Sequence, residues 1–482
     1  LDAAYDAFYK STWNAASQPA AFHALAEIDC CRGDWPRALA HLDAALRRNT
    51  ENLRARNLRV MVLRRLGEPA EMDLAAILSC DPLDAWARHL SGQALTGDTQ
   101  TRLDLVHDYL RAGFHREALA LLATAAPEPA SGTAPIVAYT AAWICHLIDD
   151  KVAGRRHRAL AAAAAPDYCF PARLEEIHVL RHAMAANPRD ARAPYYLGNL
   201  LYDRRRHREA MALWETSARL EPKFSVVWRN LGIGYFNLTR APARARAAYD
   251  RAVRVNPRDA RLIYERDQLW KRLGVSPAAR RAELDRHREI VAQRDDLTLE
   301  FCALLTLTGR THEALPLLAG RTFQPWEGGE GVALGQHVRA HLVAGKQTLA
   351  AGDPADAARL FSRALSPPEN LGEARHLLAN QSDVHFWLGC ALDAGGDRAL
   401  ARRHWTAAAT FRGDFQAMSV RAFSEMTYFS ALALGELGRR LAARKLLRGL
   451  LAHARHPGRT RATSHYFGTP LPTMLLFDDE LD

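Results

Sequence analysis

The densest concentration of groups able to do chemistry is the run Trp326-Glu327-Gly328-Gly329-Glu330-Gly331. A large aromatic ring stands beside two carboxylates, Glu327 and Glu330, on a glycine-rich backbone. Aromatic faces stack on sugar rings or cations, and carboxylates accept hydrogen bonds from hydroxyls or pair with arginine. Three roles are open: ligand binding or domain docking, a plug in which Trp326 fills a gap between helices, and a glycosidase-like carboxylate pair. Other catalytic patterns fail on spacing. His312-Glu313 begins like HExxH, but position 316 is proline. Ala344-Gly345-Lys346-Gln347 lacks the Ser or Thr and the earlier glycine of a phosphate-binding loop. No GxSxG elbow occurs. The seven cysteines, at 30, 31, 80, 145, 169, 302 and 390, are odd in number and contain no CxxC. They read as reduced core residues in a cytoplasmic setting. No catalytic residue, metal ligand or cofactor is expected.

Such a loop needs a scaffold, and internal repetition supplies one. From Ala191 the chain runs Tyr195, Tyr196, Leu197, Gly198, then Ala210, Trp214 and Pro222. From Ser225 it runs Trp228, Leu231, Gly232, Tyr235, then Ala245, Tyr249, Ala252 and Pro257. In both, a Leu-Gly pair is followed by Ala, an aromatic four residues later and Pro eight beyond that. Pro188, Pro222 and Pro257 are separated by 34 and 35 residues. This pattern resembles the tetratricopeptide repeat (TPR). Gly in a first helix and Ala in a second let two helices approach closely, and the aromatic fills the gap to the next unit. Pro ends the second helix because it lacks an N–H and restricts the residue before it. Neither helix buries its apolar stripe alone, so stacking supplies the core. Trp214, Trp228, Tyr235, Tyr249 and Trp405 are expected in that core, where truncation to Ala costs about 3–5 kcal/mol.

Weaker copies extend the array. They are marked by Gly33/Ala38/Leu42, by Ala70/Leu74/Ile77, and by Gly113/Ala118/Leu122 closed by Pro127. Further copies are Gly309/Ala314/Leu318, Gly345/Ala357/Phe361, Leu388/Gly389/Ala401/Trp405 and Gly438/Ala443/Leu447. No strand-like alternation interrupts them. The fold class expected is all-α, a right-handed α-solenoid of TPR-like helical hairpins. Its parts are degenerate repeats over 1–165, central repeats over 166–320 (best at 191–258), the Gly-rich loop 321–331, C-terminal repeats over 332–456 and a non-repeat tail 457–482. The apolar Met474 to Phe477 in that tail is expected to pack on the last helices or cap the array.

A stacked array presents an inner surface, lined at positions two, five, nine and twelve of each first helix. These include Arg192, Tyr195, Asn199 and Tyr202, then Arg229 and Phe236, then Asp383 and Phe386. Aromatics interleaved with Arg and Asn suit a peptide or a glycan, although such tyrosines also serve as inter-helix packing. The formal charge is +10, and 58 of the 64 basic residues are arginine. A nucleic-acid surface clusters its charge. Here the arginines are scattered, often near helix ends where they suit the dipole, so nucleic acid is not an expected partner. No apolar run reaches the roughly 18–20 residues of a membrane helix.

Several phrases go beyond a generic repeat: PDYCFPARLEEIHVL (166–180), APYYLGNLLYDRRR (193–206), WRNLGIGYFN (228–237), DARLIYERDQL (259–269), FQPWEGGEG (323–331) and ENLGEARHLLANQSDVHFWLG (369–389). Over roughly residues 130 to 460 the chain resembles the C-terminal TPR region of large bacterial proteins. Those proteins carry an N-terminal domain of unknown function, suspected to be a mutarotase-like β-sandwich. The chain starts at Leu1 without Met and reads as a piece of something longer or as a processed chain. The function expected is a non-catalytic cytoplasmic scaffold of a larger bacterial protein. Its partner would be a protein or peptide segment, or a β-rich domain of the same full-length protein, bound on the concave face. The alternative is an accessory part of a carbohydrate-active enzyme, with loop 323–331 completing a sugar site.

Overall fold

A computed structural model of the chain describes residues 1–125, 132–326, 328–416, 419–455 and 476–477. Pro127, Glu327 and Met474, singled out in the sequence, lie outside the described residues. The chain divides into two units, Leu1–Lys223 and Phe224–Asp482.

The first unit contains α1 (Asp2–Ser11), α2 (Gln18–Arg32), α3 (Trp35–Arg48), α4 (Leu53–Leu66), α5 (Glu71–Cys80), α6 (Ala85–Leu90) and α7 (Thr99–Arg111). It continues with α8 (His115–Ala123), α9 (Ala134–Leu147), α10 (Lys151–Ala163), α11 (Glu175–Ala186), α12 (Arg192–Asp203) and α13 (His207–Leu220). The second unit holds α14 (Ser225–Asn237), α15 (Pro242–Val255), α16 (Ala260–Arg272), α17 (Pro277–Asp285), α18 (Arg288–Val291), α19 (Asp295–Leu307) and α20 (Thr311–Ala319). After these come α21 (Val332–Ala350), α22 (Pro354–Leu365), α23 (Ser382–Ala394), α24 (Arg398–Thr410), the strands β1 (Asp414–Gln416) and β2 (Ser419–Arg421), α25 (Glu425–Glu436) and α26 (Arg440–Arg455).

Short-range chemistry sets the punctuation. Gly33 ends α2 in the left-handed region at φ 74°, and the N–H of the following Asp34 bonds back to the Asp29 carbonyl. That closure needs a residue without Cβ strain. The Asp34 carboxylate then accepts from the Arg37 N–H and opens α3. The same Gly-Asp step recurs at Gly352-Asp353 and Gly396-Asp397, before α22 and α24. Chain reversal over so few residues makes consecutive helices pack on one another. In the first unit α2 packs on α3, α4 on α5, α7 on α8, α9 on α10, and α12 on α13. In the second, α14 packs on α15, α19 on α20, α21 on α22, α23 on α24, and α25 on α26. Neighbouring hairpins stack in series, as α15 on α16 and α22 on α23.

The repeat signature is visible as packing. A Cβ built at Gly198, Gly345 or Gly389 would lie 2.5–2.6 Å from the ring of Trp214, Phe361 or Trp405 respectively, and one at Gly232 would meet the Tyr249 ring. Each glycine thus admits the aromatic of the second helix against its own backbone. Trp214, Tyr235, Tyr249 and Trp405 are buried as expected. Trp228 is not; it is half-buried, at the edge of the core around Phe301. The architecture is all-α and solenoid-like within each unit, built of TPR-like helical hairpins.

Two expectations are corrected. β1 and β2 form an antiparallel hairpin, pairing Phe415 with Val420, where no strand was anticipated. Strands of three residues are too short for alternation to register. The resemblance to large bacterial proteins with a β-sandwich is also overturned. Helices begin at Asp2, and this small hairpin is the only sheet among the described residues. Phrases such as APYYLGNLLYD and WRNLGIGYFN encode the Leu-Gly and aromatic packing that any TPR-like hairpin demands.

Candidate functional site

The inner-face residues flagged in the first unit lie on α12. Asp190 caps this helix, accepting from the Arg192 and Ala193 N–H groups, and its other oxygen accepts from the buried Tyr139 hydroxyl at 2.7 Å. Arg192 reaches Glu221 at 3.1 Å. Asn199 accepts from the Trp214 indole N–H at 3.0 Å, and the Tyr202 ring lies 5.1 Å from that indole. Tyr195 is buried against Tyr196. Asn199 and Tyr202 therefore hold the repeat aromatic in place.

In the second unit a groove is built from the ends of α14 and α16 and the middle of α15. Its floor is Tyr249, fully buried, whose ring occupies the space left by Gly232. The Tyr249 hydroxyl donates to Glu265 Oε2 at 3.1 Å. Arg229 grips the same carboxylate with two bonds, Nε to Oε2 at 2.6 Å and Nη2 to Oε1 at 2.7 Å, while Arg261 Nε reaches Oε1 at 2.8 Å. Burial pushes the Glu265 carboxyl up, but the Arg229 and Arg261 guanidiniums outweigh it and hold it below the ordinary carboxylate value. Burial, and then the Glu265 charge, push the Tyr249 phenol well above its usual value, so it remains a donor. Arg229, expected to meet a ligand, is here a support for the floor.

Seated on this floor is Phe477, which is fully buried. Its ring meets Phe236 edge-on at 5.1 Å and Tyr249 at 5.8 Å, a favourable arrangement for aromatic quadrupoles. The Arg272 guanidinium covers the Phe477 ring at 5.4 Å. Asn237 Nδ2 donates to the backbone carbonyl of Leu476 at 3.2 Å. A short stretch outside the repeats is thus held by an aromatic anchor and a backbone hydrogen bond. Phe236 was expected on an inner face, and its ring meets Phe477. Asn237, the contact role of Tyr249, Arg272 and Phe477 were not expected at this site. The apolar run ending at Phe477 was the available signal, expected to pack on the last helices or cap the array, whereas Phe477 sits on α14 and α15.

The loop after α20 is stapled to the segment 369–373. The Phe323 N–H donates to the Asn370 carbonyl, and the Asn370 amide donates to the carbonyls of Leu318 and Arg321. Glu373 accepts from the N–H groups of Gly331 and Leu334, each at 2.9 Å, and so caps α21. The half-buried Trp326 ring packs over Gly329, where any Cβ would collide with it. Glu330 is exposed and accepts from the Gly328 N–H at 3.0 Å. Asp383 lines a cleft of about 450 Å³ with Arg375, Lys346 and Trp387. Burial pushes the Asp383 carboxyl up and the Arg375 guanidinium down. Phe386 is buried against Phe429. The Asp383 cleft shares no lining residue with the Phe236 groove.

No family model matches the chain. Among solved structures it is similar to YrrB, a TPR protein described as having an unusual peptide-binding site, at 18% identity over 46% of this chain and 96% of that one, with a TM-score of 0.30. It is similar to pilF of Pseudomonas aeruginosa at 17% identity, over 46% and 89% of the two chains, with a TM-score of 0.27. Yeast Tom70 is 13% identical over 95% and 96%, with a TM-score of 0.26. Superposition this loose carries no argument; the architecture stands on the glycine–aromatic hairpins themselves.

Proposed function

We propose that the chain is a non-catalytic TPR-like scaffold that binds a short protein segment across the α14–α16 groove. The observation that carries this is the complete burial of Phe477 between Phe236 and Tyr249, with Asn237 bonded to the preceding carbonyl. A fully buried aromatic anchor supplies much of the energy of such a contact. A side-chain amide reading a backbone carbonyl recognises a ligand backbone whatever its neighbouring side chains. A reducing, cytoplasmic setting belongs to the same reading, supported by the burial of Cys30, Cys145, Cys169 and Cys302 as core members. Among the described residues of loop 323–331, the half-buried Trp326 packed over Gly329 supports the plug rather than a sugar site. No helix among the described residues is long and apolar enough to cross a membrane.

The test is selection from a displayed peptide library on the Phe477→Ala chain, in which the aromatic cleft is vacated. Enriched peptides should share an aromatic residue and lose affinity by tenfold or more, about 1.4 kcal/mol, when Phe236→Ala and Asn237→Ala are added. A library yielding no peptide sensitive to those two substitutions would remove the proposal.

A further inference from the structure

The groove is already filled by the chain that forms it. Resting on the scaffold reading above, we infer that residues 476–477 are a built-in competitor, and that the partner is an acidic segment carrying the same Leu-Phe anchor. Three observations converge. Phe477 has no remaining exposure, so the site cannot take a second aromatic while the first is present. Its partners are the groove's own binding elements: the rings of Phe236 and Tyr249, the Arg272 guanidinium and the Asn237 amide. The charges are complementary as well. Between Ser225 and Arg272 the sequence has eleven basic and four acidic residues, whereas Asp478, Asp479, Glu480 and Asp482 follow Phe477 with no base among them.

The physical consequence is competition by mass action. A ligand on the same chain meets its site at an effective concentration that reaches millimolar when the connection permits. A partner must displace it, and its apparent affinity falls by the fraction of molecules with an open groove. The Leu-Phe pair supplies the anchor and the following acids supply steering toward the basic helices. A partner with those features competes on equal chemical terms, and a basic or purely aliphatic segment does not.

The test uses the full chain, wild type and Phe477→Ala, with a fluorescent peptide of sequence 472–482 read by anisotropy. The Phe477→Ala chain should bind the peptide at least about tenfold more tightly than wild type. Adding Asn237→Ala should weaken this binding several-fold, replacing the phenylalanine of the peptide by alanine should abolish it, and added salt should weaken it. Equal affinity of the two chains for the peptide overturns the self-competition. It leaves the scaffold standing if library-selected peptides still depend on Phe236 and Asn237. Failure of every peptide, selected or native, on both chains removes scaffold and competitor together. Chymotrypsin cleavage after Phe477 gives a readout in the unaltered chain. Cleavage should be slow in wild type, faster in Asn237→Ala with unchanged circular dichroism, and independent of protein concentration. Rapid cleavage of wild type, or protection lost on dilution as expected of a contact between two copies, overturns the proposal.

Discussion

Glu265 is nearly buried and faces two guanidiniums and a phenol, so its charge is a structural element. Removing one member of a buried pair leaves the others uncompensated, which typically costs 3–5 kcal/mol. Glu265→Ala should therefore lower stability by about that amount in urea denaturation and loosen the floor of the groove. Two histidines give a pH dependence. His107 has no exposure and His341 is nearly buried; in each case burial pulls the imidazole down to about 4. Their folded values lie below the unfolded value of about 6.5, so over that interval the unfolded chain binds more protons. Stability is then complete above about pH 6.5 and declines as pH falls toward about 4, by on the order of 3 kcal/mol per histidine at most. Urea midpoints at pH 7 and pH 5 should show the loss, and His107→Leu should flatten the slope. At this scale the sequence was only partly readable. Phe236 and Arg229 were identified by their place in the repeat, but whether Arg229 meets a ligand or a buried carboxylate depends on Glu265, which lies on another helix.

At the scale of the helix the repeat pattern was read correctly because it encodes a distance. A Gly in the first helix and an aromatic 16 or 17 residues later meet wherever the turn between them is short. The same substitution should accordingly have opposite signs at two places on α21. Gly345→Ala would drive a methyl into the Phe361 ring, 2.6 Å away, and should cost about 1–3 kcal/mol by overpacking. Gly335→Ala meets nothing within 4 Å and should stabilise by about 0.5–1 kcal/mol through helix propensity. Thermal melts of the two variants decide it: a stabilising Gly345→Ala would undo the account of the hairpin. The β1–β2 hairpin shows the converse, since three-residue strands leave too little pattern to read.

At the scale of the whole chain, stacked hairpins make stability local within each unit, because each hairpin contacts mainly its neighbours. Phe301 lies in the core of the second unit, and Phe301→Ala should cost about 3–5 kcal/mol there. Amide hydrogen exchange should then quicken across α16 to α21 while α2 to α5 in the first unit keep their protection. Uniform loss across both units would contradict local coupling. The amino-acid order alone was enough for the helical class and for the burial of Trp214, Tyr235, Tyr249 and Trp405, though not for Trp228, because these follow from contacts between residues close in the chain. It could not reveal that Phe477 belongs with Phe236, Asn237 and Tyr249, more than 220 residues away. No local period links them, and only the folded helices bring a ring, an amide and a backbone carbonyl within bonding distance.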